Sequence, residues 1–192
     1  MRYGKDHKQA TRRRILEAAG RRFKQDGIDG AGVATVMSDA GLTNGAFYNH
    51  FTSKEDLVAH VLADQLRAQR HSFDAQPSAR AGLDAFIRSY LSPQHRDQCA
   101  EGCPSAALLD EIARRPAATR QVFTDELMRV IDDIASRLDP TDADAARTDA
   151  LTLFGLMVGT LQLARALTDR DLSDQLLARG VETALKLLDD WA

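Results

Sequence analysis

One pattern restricts this chain more than any other: within residues 33–57, a short apolar helix face is followed by a glycine and a second short helix. Val33, Val36, Met37 and Ala40 recur at i, i+3, i+4 and i+7, which is one face of a helix. Gly41 follows the last of them, where a helix commonly ends on a left-handed residue. Leu42 fills the corner, and Thr43 can cap what comes next. The second helix, about Asn44 to Phe51, would bury Phe47 and Phe51 and present Asn44, Ala46, Tyr48, Asn49 and His50. An outer face that is polar but nearly uncharged suits hydrogen bonding to base edges in a major groove, where Asn reads adenine bidentately. The pattern predicts a helix-turn-helix over about 33–51. Its bland alternative is an ordinary corner between two packed helices.

The same stretch resembles the TetR family of bacterial transcriptional regulators. The residues that carry the resemblance are Gly41-Leu42-Thr43, Gly45-Ala46-Phe47-Tyr48, His50-Phe51 and Ser53-Lys54-Glu55-Asp56-Leu57. It covers about residues 9–62, and beyond them only length and helical layout correspond. It implies an all-α protein: a three-helix DNA-binding head followed by a helical effector-binding and dimerisation body. By the same resemblance Thr43, Tyr48, His50 and Lys54 hold phosphates, Asn44, Ala46 and Asn49 face bases, and Gly45 lets the backbone come near. Gly32 departs from the family, which has Thr or Ser at the start of this first helix, so a side-chain cap and phosphate contact are missing.

The charge distribution agrees with a DNA-binding end. Across all 192 residues the formal charge is −3, which by itself argues against a general nucleic-acid binder. Residues 1–60, however, hold 10 Lys/Arg against 7 Asp/Glu, and the remainder 15 against 21. A basic end that approaches phosphates, on an acidic body that stays off them, fits the motif. The amino end shows no apolar signal core. The longest uncharged run, Ala150 to Ala164, is too short for a membrane span, so a cytoplasmic protein with no membrane partner is expected. Two cysteines are too few for a disulfide framework.

Along the chain, about nine helices and no strand are expected. Residues 1–8 read as a flexible basic arm, 9–52 as the DNA-binding domain and 53–192 as the body. A helix over about 9–25 carries Ile15, Ala19 and Phe23. Thr52-x-x-Glu55 matches a capping box opening a long helix towards Phe73. Ala75-Gln76-Pro77-Ser78 reads as a linker, and 79–91 as a helix with Leu83, Phe86, Ile87 and Tyr90 on one face. Ser92 to Pro104 is broken by proline and glycine. Helices over about 104–114 and 116–138 follow, and Asp139-Pro140-Thr141-Asp142 reads as a turn.

The last two helices, about 143–168 and 173–190, are the most apolar. The first is apolar nearly all round and must be covered on two sides. Pairing with the same two helices of a second copy would cover it and supply the twofold that two operator half-sites require. Leu151, Gly155, Val158, Leu161, Leu177, Val181 and Leu185 are the expected interface; burial within one subunit is the alternative. Phe86, Tyr90, Cys103, Leu108, Phe123, Leu127, Met128, Phe154 and Met157 are the candidate lining of an effector pocket, and core packing explains each equally well.

His95, Cys99 and Cys103 stand at i, i+4 and i+8, and three readings of them stay open: a metal site, a reactive thiol at Cys103, or a buried apolar cysteine. No metal or other cofactor is expected. The leading functional expectation is a homodimeric, ligand-responsive repressor. It would bind a (pseudo)palindromic double-stranded operator and be released by a small hydrophobic effector. A thiol-based oxidant or electrophile sensor using Cys103 is the alternative. A helical enzyme is the other class, but no phosphate loop, His-Glu-x-x-His or Gly-x-Ser-x-Gly motif is present.

Overall fold

The computed structural model describes residues 2–76, 80–139 and 141–191. Among them are nine α-helices, two 3₁₀ helices and no strand. The helices are α1 (Arg2–Asp26), α2 (Val33–Asp39), α3 (Lys54–Asp74), α4 (Arg80–Tyr90), α5 (Pro93–Asp97), α6 (Ser105–Ala113), α7 (Ala117–Leu138), α8 (Arg147–Ala166) and α9 (Arg170–Asp190). The 3₁₀ helices are Asn44–Asn49 and Cys99–Glu101. Pro77 and Ser78 of the expected linker, and Pro140 of the expected turn, lie outside the described residues.

Three local expectations need correction. The first helix begins before residue 9: α1 takes in the expected arm from Arg2 onward. The cap of α3 sits one residue later than Thr52, because Ser53 Oγ accepts the Asp56 N–H at 3.0 Å. Asp56 then returns the bond, its carboxylate accepting the N–H of Thr52 at 2.8 Å, while Glu55 takes a 2.6 Å bond from the Thr119 hydroxyl. The third concerns Asn44–Asn49, which winds as a 3₁₀ helix rather than an α-helix. Six residues with Gly45 and two asparagines offer little helix propensity, and short segments close on i→i+3 bonds.

The corner itself is built as its glycine requires. Gly41 has φ +65, its N–H bonds the Ser38 carbonyl at 2.9 Å, and the Leu42 N–H bonds the Met37 carbonyl at 2.9 Å. That pair of bonds is a Schellman stop, which satisfies the last carbonyls of α2 and turns the chain.

Two apolar cores form. The first joins Ile15, Ala19 and Phe23 of α1 to Val36, Met37, Phe47 and Phe51. It does not stop at residue 52: Leu57, Val58, Val61, Leu62 and Leu66 of α3 belong to it, as do Leu108, Ile112 and Phe123 of α6 and α7. The second is built from α4 and α7–α9 around Ile87, Ile131, Ile134, Leu153, Met157 and Leu161. Helix α3 contributes to both through Leu66 and Phe73. Ion pairs tie it to α7, Arg67 meeting the buried Glu126 at 2.5 Å and Arg70 meeting Asp133 at 2.5 Å. No helix among the described residues is long and apolar enough to cross a membrane.

Candidate nucleic-acid interface and effector cavity

The 3₁₀ helix presents the residues that sequence placed on its outer face. Phe47 and Phe51 are 1% and 2% exposed, whereas Tyr48 is 73% exposed although large and aromatic. Thr43, Asn44, Gly45 and Asn49 are exposed beside it, and Ala46 is half-buried. Two buried rings therefore act as pegs that fix the rotation of the segment. Their contact, with ring centroids 5.7 Å apart, leaves Tyr48 edge-on to Phe47 and facing outward.

His50 and Lys54 sit differently from the rest. His50 is half-buried, and burial, then Lys8 and Arg12, hold its imidazole below the ordinary 6.5. A lowered pKa favours the neutral ring in the free chain. Lys54 is half-buried, with Nζ 3.4 Å from the Asp29 carbonyl. Sequence reasoning missed the braces behind this surface. Arg12 donates to the His50 carbonyl at 2.6 Å and lies 4.3 Å over the Phe51 ring. Arg14 donates to the Ala40 carbonyl at 2.5 Å, at the end of α2. Nine basic residues in the first 24 signalled phosphate binding, yet these two face the motif's own carbonyls. Gly32 begins α2 with no side-chain cap, as its identity requires.

A cavity of about 550 Å³ opens between α1, α3, α4 and the 92–104 segment. Of the nine expected lining residues it takes Phe86, Tyr90 and Cys103. Leu108 and Phe123 are instead in the core beneath the head, and Phe154 and Met157 are in the body core. Leu127 packs against both cores and Met128 against the second. These six are apolar at helical spacing, and tertiary packing used them as core. The unexpected lining is polar and reaches the head: Glu17, Arg21 and Lys24 come from α1, and Gln65, Gln69 and Ser72 from α3.

The 92–104 segment is pinned rather than loose. Arg165 of α8 donates to the carbonyls of His95 (2.8 Å), Ala106 (3.0 Å) and Arg96 (3.2 Å). The Lys24 ammonium donates to the Gly102 carbonyl at 2.8 Å. His95 Nδ1 lies 2.7 Å from the Tyr90 carbonyl, and its Nε2 accepts the Cys103 N–H at 3.1 Å. That pattern assigns the neutral, Nδ1-protonated tautomer, and burial holds the ring below its ordinary pKa. With both nitrogens engaged, His95 is not arranged as a metal ligand. Among the described residues no group of three or more His, Cys, Asp and Glu could hold an ion. Cys103 is 6% exposed and lines the cavity beside the Tyr90 hydroxyl.

The carboxy-terminal pair separates the expected interface residues into two sets. Leu161 and Leu177 are 0% and 1% exposed and Val158 is 5%, so these three are core within one chain. Val181 and Leu185 are half-buried. The open apolar face is Leu151 (44% exposed), Gly155, Gly159 and Leu163 (61%), every fourth residue of α8, with Leu172 (49%) at the start of α9. A methyl at Gly155 or Gly159 would meet nothing within 4 Å, whereas one at Gly180 would lie 2.6 Å from Thr160 Cγ2. The close approach of α8 to α9 therefore runs through Gly180, and the other two glycines face outward.

With this geometry in hand, the relatives agree. The profile described as "Bacterial regulatory proteins, tetR family" matches residues 15–61. The chain is 41% identical over 134 residues to the HTH-type transcriptional regulator UidR of Escherichia coli K12, covering 68% of this chain and 65% of that one. It is 39% identical over 57 residues to AcrR of Shigella flexneri, covering 30% of this chain and 26% of that one. It therefore spans less than two thirds of either relative's length. Among solved structures, reduced NemR of E. coli superposes with TM-score 0.77 at 19% identity, covering 91% and 95% of the two chains. FadR of Bacillus subtilis, in complex with stearoyl-CoA, superposes with TM-score 0.67 at 18% identity, covering 91% and 96%. An exposed polar helix-turn-helix face, a helical body around a cavity and these likenesses agree: the chain belongs to the TetR family of bacterial regulatory proteins.

Proposed function

We propose that this protein is a homodimeric, DNA-binding transcriptional repressor whose grip on its operator is relaxed by a small molecule held in the α1–α3–α4 cavity. The observation that carries the reading is the Asn44–Asn49 face: an exposed Tyr48 and polar neighbours held outward by two buried phenylalanines. Tyr48, Thr43 and Lys54 set register on phosphates, and Asn44 and Asn49 read base edges. The open face of α8, with Leu151 and Leu163, is the surface for a second copy. Dimerisation would bury the exposed part of both leucines, roughly half of the about 1.5–3 kcal/mol that a whole buried leucine is worth. It would also place two heads for paired half-sites.

The ligand would act by favouring one head arrangement over another, since only differential affinity shifts such an equilibrium. That a small molecule is involved draws support from FadR, whose structure holds stearoyl-CoA. The test is fluorescence anisotropy of the purified protein on DNA from upstream of its own gene, over a range of salt. Steep loss of affinity with salt, together with preference over scrambled DNA, is expected. Equal affinity for both DNAs at every salt concentration would remove the reading.

A further inference from the structure

The cavity carries more information than its position. Gln69 lines it with both its amide oxygen and its amide nitrogen buried and without a hydrogen-bond partner among the described residues. Gln65 Oε1 is in the same condition, and the hydroxyl of Tyr90, which is 4% exposed, has only the weakly bonding Cys103 thiol beside it. Buried polar atoms are ordinarily satisfied, so several orphans around one empty space mark where a ligand's own donors and acceptors belong. The same cavity is lined by an aromatic cluster from α3 and α4. Phe86 is edge-on to Phe73 at 4.8 Å, and 5.8 Å from Tyr90.

Charge narrows the class further. The acidic groups of the lining, Glu17, Asp64 and Glu101, are exposed at the mouth. Two cations face these three carboxylates: Arg21, exposed on α1, and the buried Lys24, whose ammonium donates to the Gly102 carbonyl. The lining thus holds no surplus positive charge to neutralise a carboxylate or phosphate. The size, about 550 Å³, suits a drug-sized molecule rather than a long acyl chain lying in an apolar tunnel.

From these observations we infer that the cavity binds an uncharged ring compound bearing at least one hydrogen-bond donor and one acceptor, and that helix α1 of the DNA-binding head touches it directly. The ring lies against Phe73, Phe86 and Tyr90, and its polar groups meet Gln65, Gln69 and the Tyr90 hydroxyl. Leu16 and Lys24 put α1 in the same wall, so the head senses the ligand by contact. Gln65 makes that contact intimate: its Nε2 lies 2.0 Å from where a methyl on Gly20 of α1 would stand, so the amide rests in the notch that this glycine leaves. The inference rests on the reading of a ligand-responsive regulator given above, and deepens it.

The test is calorimetric titration of the full chain with three matched probes: 6-hydroxy-2-naphthamide, the anionic 6-hydroxy-2-naphthoate, and apolar 2-ethylnaphthalene. The amide is expected to bind at least tenfold more tightly than either of the others. Gln69→Leu and Tyr90→Phe are each expected to raise its Kd tenfold or more while leaving 2-ethylnaphthalene within threefold; Gln65→Leu serves if Gln69→Leu fails to fold. Hydrogen exchange should show added protection at Leu16–Lys24 when the amide is bound. Tighter binding of the anionic or apolar probe, no binding of any probe, or unchanged exchange in α1 would each overturn the inference. Anisotropy on upstream DNA in the same samples separates the two ideas. DNA binding without amide binding refutes only the ligand class, and amide binding without DNA binding refutes only the regulator.

Discussion

Glu111 Oε2, in α6, accepts a 2.8 Å hydrogen bond from the backbone N–H of Ile28, 83 residues earlier in the chain. The same oxygen lies 3.3 Å from the N–H of Asp29, and Arg115 closes the group by meeting Asp29 at 2.7 Å. The turn between α1 and α2 is therefore clasped by the body, next to Gly27, whose φ of +79 only glycine holds without strain. Glu111→Ala is expected to cost about 1–3 kcal/mol, the usual loss when a part-buried amide, here that of Ile28, loses a carboxylate partner. Denaturant unfolding measures it, and exchange of the Ile28 and Asp29 amides should quicken selectively. Unchanged exchange at both amides would show the clasp to be incidental.

On the DNA surface, Tyr48→Ala and Lys54→Ala should weaken binding to every sequence, and Lys54→Ala should reduce the salt slope by about one unit. Asn44→Ala and Asn49→Ala should instead relax discrimination at single base pairs, by about 1–3 kcal/mol where a bidentate contact is lost. A panel of point-mutated operators distinguishes these outcomes. Uniform weakening by the asparagine variants would reassign them to the phosphates.

For the dimer, Leu163→Glu is expected to yield a folded monomer, because Leu163 is 61% exposed in the single chain. Leu161→Glu is expected to unfold the protein, since Leu161 is 0% exposed and its carboxylate would be buried unpaired. Sedimentation velocity with circular dichroism reads both. A wild-type monomer at micromolar concentration would disprove the α8 interface.

Gly32→Ser should stabilise the head. Gly32 has φ −71, open to any residue, and an added Cβ meets only Thr35 Oγ1 at 3.8 Å. The hydroxyl supplies the missing cap, worth a few tenths of a kcal/mol, and a less flexible unfolded chain adds about 0.4–1 kcal/mol. A melting temperature at or below wild type would contradict this.

His95 makes stability fall in acid. Burial first, then Arg165 and Lys24, lower its folded pKa below 6.5, against the upward pull of its bond to the Tyr90 carbonyl. A lowered folded pKa means the unfolded chain binds the proton more readily. The contribution is thus present above 6.5 and fades as pH falls through the folded value. Melting temperature measured from pH 7.5 to 5 should decline less steeply in His95→Gln than in wild type, and equal slopes would exclude His95 as a source.

The sequence by itself determined the helix-turn-helix. Gly41, the stripe of Val33, Val36, Met37 and Ala40, and the paired Phe47 and Phe51 act over a few residues, where backbone geometry and side-chain period leave one arrangement. Even there, the cap at Ser53 rather than Thr52 was settled by which hydroxyl met the Asp56 N–H. Only the tertiary structure decided which leucines of α8 are core and which are face. A helix apolar nearly all round has no stripe to read, and its rotation is set by the neighbours it meets. The cavity was illegible for the same reason. Its walls come from α1, α3, α4 and the 92–104 segment, and its decisive groups, Gln65 and Gln69, are polar side chains that helical period assigns to solvent. What separates them from ordinary surface glutamines is long-range packing that leaves their amides buried and unpartnered, and no local pattern encodes that.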